Sequence, residues 1–194
     1  MKKRGYHIYL FRHGQTFYNR DQIFTGWKDS LLTPLGFKQA KIVAKKIKNK
    51  KFGAAFYTRL TRSKQTLKEV LRYHPECKKK IKDDRMLERN YGSLNGHHHS
   101  IIIKNYGAEQ YNRWHRGYYI KTKGGESFAD VNKRVKSFIV YLKKFMKKNK
   151  TSVAISAHGN SIRLFRHIWE KTSVKKTCSW FIPYDRVFTY RLKT

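Results

Sequence analysis

At 194 residues, with 39% apolar side chains and 13 Tyr, 12 Phe and 4 Trp, the chain is long enough for one sizeable core and too apolar for disorder. Forty-five Lys and Arg against 12 Asp and Glu give a formal charge of +33, which permits contact with polyanions but says nothing about fold. Cys77 and Cys178 are far apart and outside any CxxC pattern, and no apolar run has the length of a signal peptide or a bilayer span. A reduced, cytoplasmic protein without membrane insertion is therefore expected.

Taken in order, residues 6–11 form an apolar run that reads as a buried strand and stops on Arg12-His13-Gly14. Gly14 is expected to let the backbone turn there and to leave room for a ligand. Thr33-Pro34 is a helix start, with Thr as N-cap and Pro at the first helical position. Leu35, Ala40, Val43, Ala44 and Ile47 recur at helical spacing, with Lys41, Lys45, Lys46 and Lys48 opposite. Residues 54–57 read as a second short strand, 60–72 as a helix, and 81–86 as a third strand. Residues 87–99, rich in Gly, Asn and His, read as a loop, and 106–118 as a helix followed by a turn at 121–125.

Ser127 with Asp130 makes a capping box that opens a helix carrying Val131, Val135, Phe138, Ile139, Leu142 and Phe145 on one face. Residues 152–157 form a clear strand stopping at His158-Gly159-Asn160. A helix follows over 161–170, and 186–192 reads as an edge strand that could support a homodimer. Strands alternate with helices, which predicts a single α/β domain over 1–194, a three-layer sandwich around a mostly parallel sheet. The lysine excess, including Lys143, Lys144, Lys147 and Lys148, reads as solvated helix faces.

Two strands thus end in His-Gly. In an open parallel sheet, ligands bind beyond the carboxyl ends of the strands. If these two strands are neighbours, His13 and His158 face each other across one site.

Arg12-His13-Gly14-Gln15-Thr16 resembles the RHGxT signature of the histidine phosphatase superfamily. Asn19, Phe24-Thr25-Gly26-Trp27, Leu32-Thr33-Pro34-Leu35-Gly36, Leu60-Thr61-Arg62-Ser63, Leu87-Glu88-Arg89-Asn90-Tyr91-Gly92 and Ala157-His158-Gly159-Asn160-Ser161-Ile162-Arg163 resemble its phosphoglycerate mutase branch. The resemblance implies a phosphoglycerate mutase-like fold and phosphoryl transfer through a phosphohistidine. His13 would be the nucleophile, neutral on its attacking nitrogen, with the other nitrogen held by a backbone carbonyl. Arg12 and Arg62 would fork the phosphate oxygens, and His158 would add a donor if protonated. Glu88 would give the leaving alkoxide its proton and later act as base; by position alone, a salt bridge with Arg89 is the simpler reading. Asn19, Thr25, Gly26, Arg89, Tyr91, Arg116 and Asn160 would hold the phosphoryl group or substrate. No metal is implied, because the arginines take the place of magnesium.

The match departs from the mutase branch at three positions. Ile23 stands where an arginine usually precedes Phe-Thr-Gly-Trp, His99 falls where a lysine is usual, and Trp-Arg-Arg has become Trp114-His115-Arg116. The long insertion of mutases is missing, leaving 88–125 as a reduced cap, and the chain stops soon after its last strand. A more open site favours water as acceptor. The expected function is a metal-independent phosphatase of small phosphorylated metabolites. The alternative is a phosphoglycerate mutase primed by 2,3-bisphosphoglycerate, and a further one is a catalytically weak, basic polyanion-binding protein. His97-His98-His99 is expected near the pocket as a polar loop and not as a metal site. Trp169, Trp180 and Phe181 are expected in the core or an interface.

Overall fold

Strands β1 (Gly5–Arg12), β2 (Ala54–Tyr57), β3 (Lys79–Lys82), β4 (Val153–Ala157) and β5 (Val187–Lys193) pair in the order β3-β2-β4-β1-β5. The first four run parallel and β5 lies antiparallel against β1, at one edge as expected. The structure, a computed structural model, describes residues 5–193. Helices are α1 (Phe17–Arg20), α2 (Pro34–Ile47), α3 (Thr61–Leu71), α4 (His99–Arg116), α5 (Phe128–Lys148), α6 (Gly159–Glu170) and α7 (Val174–Ser179).

Three layers follow from strand alternation. Ile8 and Leu10 on β1, with Phe56 and Ile155, pack against Val131, Val135, Phe138 and Leu142 of α5 and Ile162 and Phe165 of α6. The intervening residues Tyr9, Phe11, Ala55 and Ala154 face the other way, onto Val43, Ala44 and Ile47 of α2 and Leu67 and Val70 of α3. A smaller cluster of Phe24, Tyr91, Leu94 and Ile102 lies under α4. Lys41, Lys45, Lys46, Lys48, Lys143, Lys144, Lys147 and Lys148 are all exposed on the outer faces of α2 and α5 or just past α2. No helix among the described residues is long and apolar enough to cross a membrane.

Several sequence expectations need correction. The third strand spans Lys79–Lys82, and residues 84–86 form a 3-10 turn, because Asp83 caps it by accepting from the Arg85 amide. The fourth helix begins at His99 rather than 106 and is kinked at Gly107, whose φ of 80° interrupts the helical run. Leu35 points to solvent, and Gly36 takes the buried first-turn position. Phe145 is half-buried, while Met146 is the one that enters the core. The short α7 has no apolar period, and nothing in the pattern announces it.

Gly14 also differs from expectation. Its φ is not positive, so no left-handed turn requires it. A Cβ on Gly14 would sit 2.2 Å from the Gly36 carbonyl oxygen, and one on Gly36 would sit 2.0 Å from the Gln15 carbonyl oxygen. The two glycines let the backbone after β1 rest on the first turn of α2. Thr33 fastens the same contact: its amide donates to the Gln15 carbonyl and its hydroxyl caps the Gly36 amide. Gly14→Ala and Gly36→Ala should each lower stability by about 2 kcal/mol through overpacking, read as a drop in the urea midpoint at unchanged m-value. A midpoint equal to wild type would contradict this backbone contact.

Candidate active site

Register explains why the two histidines meet. Arg12 lies opposite Ala157 in the parallel β1–β4 pair, and the His13 amide extends that ladder by donating to the Ala157 carbonyl at 3.0 Å. His13 and His158 are therefore each the first residue past paired strand ends, with ring centroids 5.0 Å apart. The next strand over, β2, delivers Thr58, whose Oγ1 lies 2.8 Å from His158 Nε2. Sequence reasoning passed over Thr58; the available signal was a polar residue one step beyond a fully apolar strand.

His13 is 2% exposed, and its Nδ1 donates to the Gly14 carbonyl at 2.7 Å. A carbonyl can only accept, so the neutral ring carries its proton on Nδ1 and leaves Nε2 with the lone pair. Burial, then Arg62 and Arg12, push its pKa well below the ordinary imidazole value; the Gly14 bond opposes them weakly. His158 is wholly buried and lowered in the same direction by burial, Arg62 and His13, and its Nδ1 has no partner.

Arg62 enters from the first turn of α3 and is 1% exposed. It donates to the Gly26 and Lys28 carbonyls at 2.8 and 2.9 Å, while its Nε has no partner. Burial lowers its pKa to about 10. Arg12 donates to the Ile182 carbonyl at 2.8 Å, lies 4.0 Å over the Tyr184 ring, and likewise leaves its Nε unpartnered. The positive end of α6 opens onto the same space.

Glu88 is 8% exposed, and its Oε1 accepts from the Asn160 amide at 3.0 Å and the Arg89 amide at 2.8 Å. The expected alternative, a salt bridge to Arg89, is absent. The Arg89 guanidinium instead lies between the rings of Tyr91 and Phe128 and donates to the Trp114 carbonyl. The backbone under Glu88 is pinned by Trp27 Nε1, which donates to the Glu88 carbonyl at 2.8 Å, and by Arg134 of α5. Arg134 donates to the carbonyls of Arg85, Leu87 and Glu88 and is paired with Glu126. Arg134 was invisible to pattern reading, because it sits on the polar side of a helix dominated by basic residues.

Arg12, His13, Arg62 and Glu88 line one cavity of about 290 Å³; His158, fully buried, does not line it, and its ring lies 5.0 Å from that of His13. Of the further predicted residues, Asn19, Thr25, Gly26, Tyr91 and Asn160 line it too. Asn19 caps back onto the Thr16 amide, Thr25 reaches the Ile23 carbonyl, and Gly26 has a left-handed φ of 48°. Asn160 bonds the Tyr91 hydroxyl. Two do not line the cavity: Arg89 is buried against the rings of Tyr91 and Phe128, and Arg116 is exposed and donates to the Cys178 carbonyl. Arg163 takes the place expected of them. It lines the cavity, donates to Asn160 Oδ1 and the Trp180 carbonyl, and is lowered to about 10 by burial.

The opposite wall contains Ile23, His99 and His115. His99 lies 3.9 Å from the Phe24 ring in a stacked arrangement and its Nδ1 meets the Tyr111 hydroxyl at 2.8 Å. Burial and neighbouring cations lower His99 to about 4 and His115 to about 2. His98 caps α4, so the three adjacent histidines do not converge; no group of His, Cys, Asp or Glu among the described residues is placed to hold a metal. Phe181 is 68% exposed at the cavity rim, and Trp169 packs on Phe165 and Tyr190. Trp180 is half-buried and faces the Arg166 guanidinium at 3.9 Å.

Comparison with known proteins agrees with this geometry. Residues 8–190 match the family model of the histidine phosphatase superfamily (branch 1). A 2,3-bisphosphoglycerate-dependent phosphoglycerate mutase of Afipia carboxidovorans is 37% identical over 191 residues, covering 96% of this chain and 91% of that protein. A phosphoglycerate mutase structure from Bacillus anthracis superposes with a TM-score of 0.82 at 20% identity, over 98% of this chain and 89% of the other. The α-ribazole phosphatase of Shigella flexneri gives 0.81 at 19% identity, over 97% and 94%. At such identities the two structures establish the fold.

The depressed histidines have a consequence for stability. His13, His158, His99 and His115 ionise near pH 6.5 when unfolded but only at lower pH when folded. The unfolded chain therefore binds more protons below that value, and stability falls as pH drops. The melting temperature should decrease steadily from pH 7.5 to 5.0, and His115→Phe should flatten that slope. A melting temperature independent of pH over this range would show that these rings are not held neutral.

Proposed function

The chain belongs to the histidine phosphatase superfamily, and on that premise we propose that it is a metal-independent phosphomonoesterase working through a phosphohistidine on His13 Nε2. The observation that carries this reading is the Nδ1–Gly14 bond, which leaves Nε2 as the nucleophilic nitrogen within a cluster of cations. The substrate phosphoryl group occupies the cavity that Arg12 and Arg62 line, two guanidiniums whose Nε groups have no partner among the described residues. The Arg62 hydrogen bonds to two carbonyls hold its guanidinium in place before substrate arrives, so little reorganisation is needed as charge develops.

His158 need not be protonated. Either the Thr58 hydroxyl or His158 Nε2 can donate in their shared bond; we assign Thr58 as the donor, which puts the proton of the neutral ring on Nδ1, the atom without a partner among the described residues. On this assignment that N–H is available to an oxygen of a phosphoryl group bonded to His13, whose ring lies 5.0 Å away. Glu88 keeps Oε1 in the Asn160 and Arg89 amide bonds, which leaves Oε2 to protonate the departing alkoxide. Oε2 and the Arg12 guanidinium both approach Gly159, within about 3.7 Å of where a Cβ on that residue would stand. In the second half-reaction Glu88 removes a proton from water, which attacks the phosphohistidine. Residues 88–125 act as a reduced cap over this centre.

The alternative, mutase activity primed by 2,3-bisphosphoglycerate, is favoured by the name of the Afipia relative. Because the chain covers 91% of that protein, a missing insertion does not separate the two. What favours phosphatase is the wall of Ile23, His99 and His115, where a substrate carboxylate would need cations. Of the cations acting on His115, namely Arg116, Arg89 and Arg163, only Arg163 lines the cavity. A bisphosphoglycerate could place one phosphate on the arginine cluster, but its remaining anionic groups would face a largely uncharged surface.

Purified protein should be incubated with an aryl phosphate, 3-phosphoglycerate and 2,3-bisphosphoglycerate. Release of phosphate from the aryl ester, lowered at least 10³-fold in His13→Ala, is the expected result, without 2-phosphoglycerate formation. Isomerisation that depends on added bisphosphoglycerate would establish the mutase reading instead.

A further inference from the structure

The cavity at His13 does not end at its uncharged wall. A second chamber of about 350 Å³ lies next to it, and Asn19, Ile23 and His99 line both. The divider is stiff, because residues 22–24 and 96–99 are joined by backbone bonds. His99 N donates to the Gln22 carbonyl at 2.9 Å, Phe24 N to the His97 carbonyl at 3.0 Å, and Gly96 N to the Phe24 carbonyl at 2.7 Å. What separates the chambers is thus a low ridge of side chains, with Ile23 and His99 at its crest.

The chemistry of the second chamber differs from that of the first. In a chain with 45 basic residues, it is lined by no lysine, arginine, aspartate or glutamate. Tyr18, Tyr111 and Ile103 give it apolar surfaces, while Asn19, Gln22 and Ser100 give it hydrogen-bonding groups that carry no charge. Ile103 is 39% exposed here, and Ile101 beside it is 49% exposed, although neither belongs to a core cluster. An apolar face with a hydrogen-bonding rim fits an uncharged ring, which sugars and nucleobases both present. An additional carboxylate or phosphate would find no partner there.

We propose that the two chambers form one elongated substrate site, with the phosphoryl group at His13 and an uncharged ring of the leaving alcohol lodged beyond the Ile23–His99 ridge. The inference rests on the phosphoryl-transfer reading above and names its substrate class: a phosphomonoester in which the phosphate-bearing sugar carries a second ring. His99 is one of the three residues that both parts touch. Its Nδ1 is committed to the Tyr111 hydroxyl, so the ring is held on edge with its apolar face against Phe24.

The test pairs one-ring and two-ring substrates. Ribose 5-phosphate is compared with adenosine 5′-monophosphate, and glucose 6-phosphate with trehalose 6-phosphate; 3-phosphoglycerate is the charged control and an aryl phosphate the reference. At least one two-ring substrate should exceed its one-ring counterpart tenfold or more in kcat/KM, and the pair that responds identifies nucleobase or sugar as the second ring. Ile103→Trp, which fills the chamber, should bring that ratio close to one, and Tyr18→Ala should lower it severalfold. Binding of the same four compounds to His13→Ala, measured by calorimetry, reads the chamber without turnover. Equal affinity and equal kcat/KM within both pairs, or preference for 3-phosphoglycerate over all four, would overturn the proposal. Failure to hydrolyse even the aryl phosphate would instead sink the phosphatase reading, and the calorimetric comparison would still decide the chamber.

Discussion

Positive charge buried without enough negative charge to balance it is the constraint on which this structure depends. Arg12, Arg62 and Arg163 converge on one cavity beside two buried imidazoles, with Glu88 as the only carboxylate lining it among the described residues. Burying a cation costs several kcal/mol unless partners replace water. Here they do so in part: carbonyls of Gly26, Lys28, Ile182 and Trp180 accept from the three guanidiniums, while two Nε groups and His158 Nδ1 are left over. On the proposed reading this leaves room for an oxyanion, with the fixed dipoles around it in place before one arrives. The depressed pKa values of His13 and His158 come first from burial, to which the nearby Arg62 and Arg12 add, and both keep the imidazoles neutral.

Much of the scaffold is readable from local chemistry. The Thr33-Pro34 start of α2 and the Ser127–Asp130 capping box both rest on contacts within four residues, and both appear where expected. The partnership of His13 with His158 was conditional on β1 and β4 being neighbours, and the Arg12–Ala157 register meets that condition. What escaped pattern reading is long-range. Arg134 looks like any other basic residue on a solvated helix face until the carbonyls of the 85–88 loop come to meet it. Arg163 and Arg116 are equally plausible anion ligands by type; only the packing of α6 and α4 sends one into the cavity and the other away from it. Gly14 was read as a turn residue, whereas its reason is the close approach of the α2 backbone, a contact between segments 22 residues apart.

The chain also separates the two halves of recognition. The proposed chemistry at His13 is placed at the carboxyl ends of the strands, where open α/β sheets bind ligands, and needs the same groups whatever the alcohol. On the proposed reading, discrimination falls to residues 22–24 and to the 96–115 segment, where Ile23, His99 and His115 line the cavity in a protein of formal charge +33. The family relationship accounts for the first half. It does not determine the second, which lies in side chains of a kinked helix and its preceding loop.

On the proposed reading, the Nδ1–Gly14 bond fixes which nitrogen attacks. Brief reaction of the enzyme with an aryl phosphate, alkaline denaturation and phosphorus NMR of the trapped protein measure this directly. The account predicts one acid-labile phosphohistidine, on Nε2 of His13 and absent from His13→Ala. A phosphoryl group on Nδ1, or label that survives the loss of His13, would contradict it.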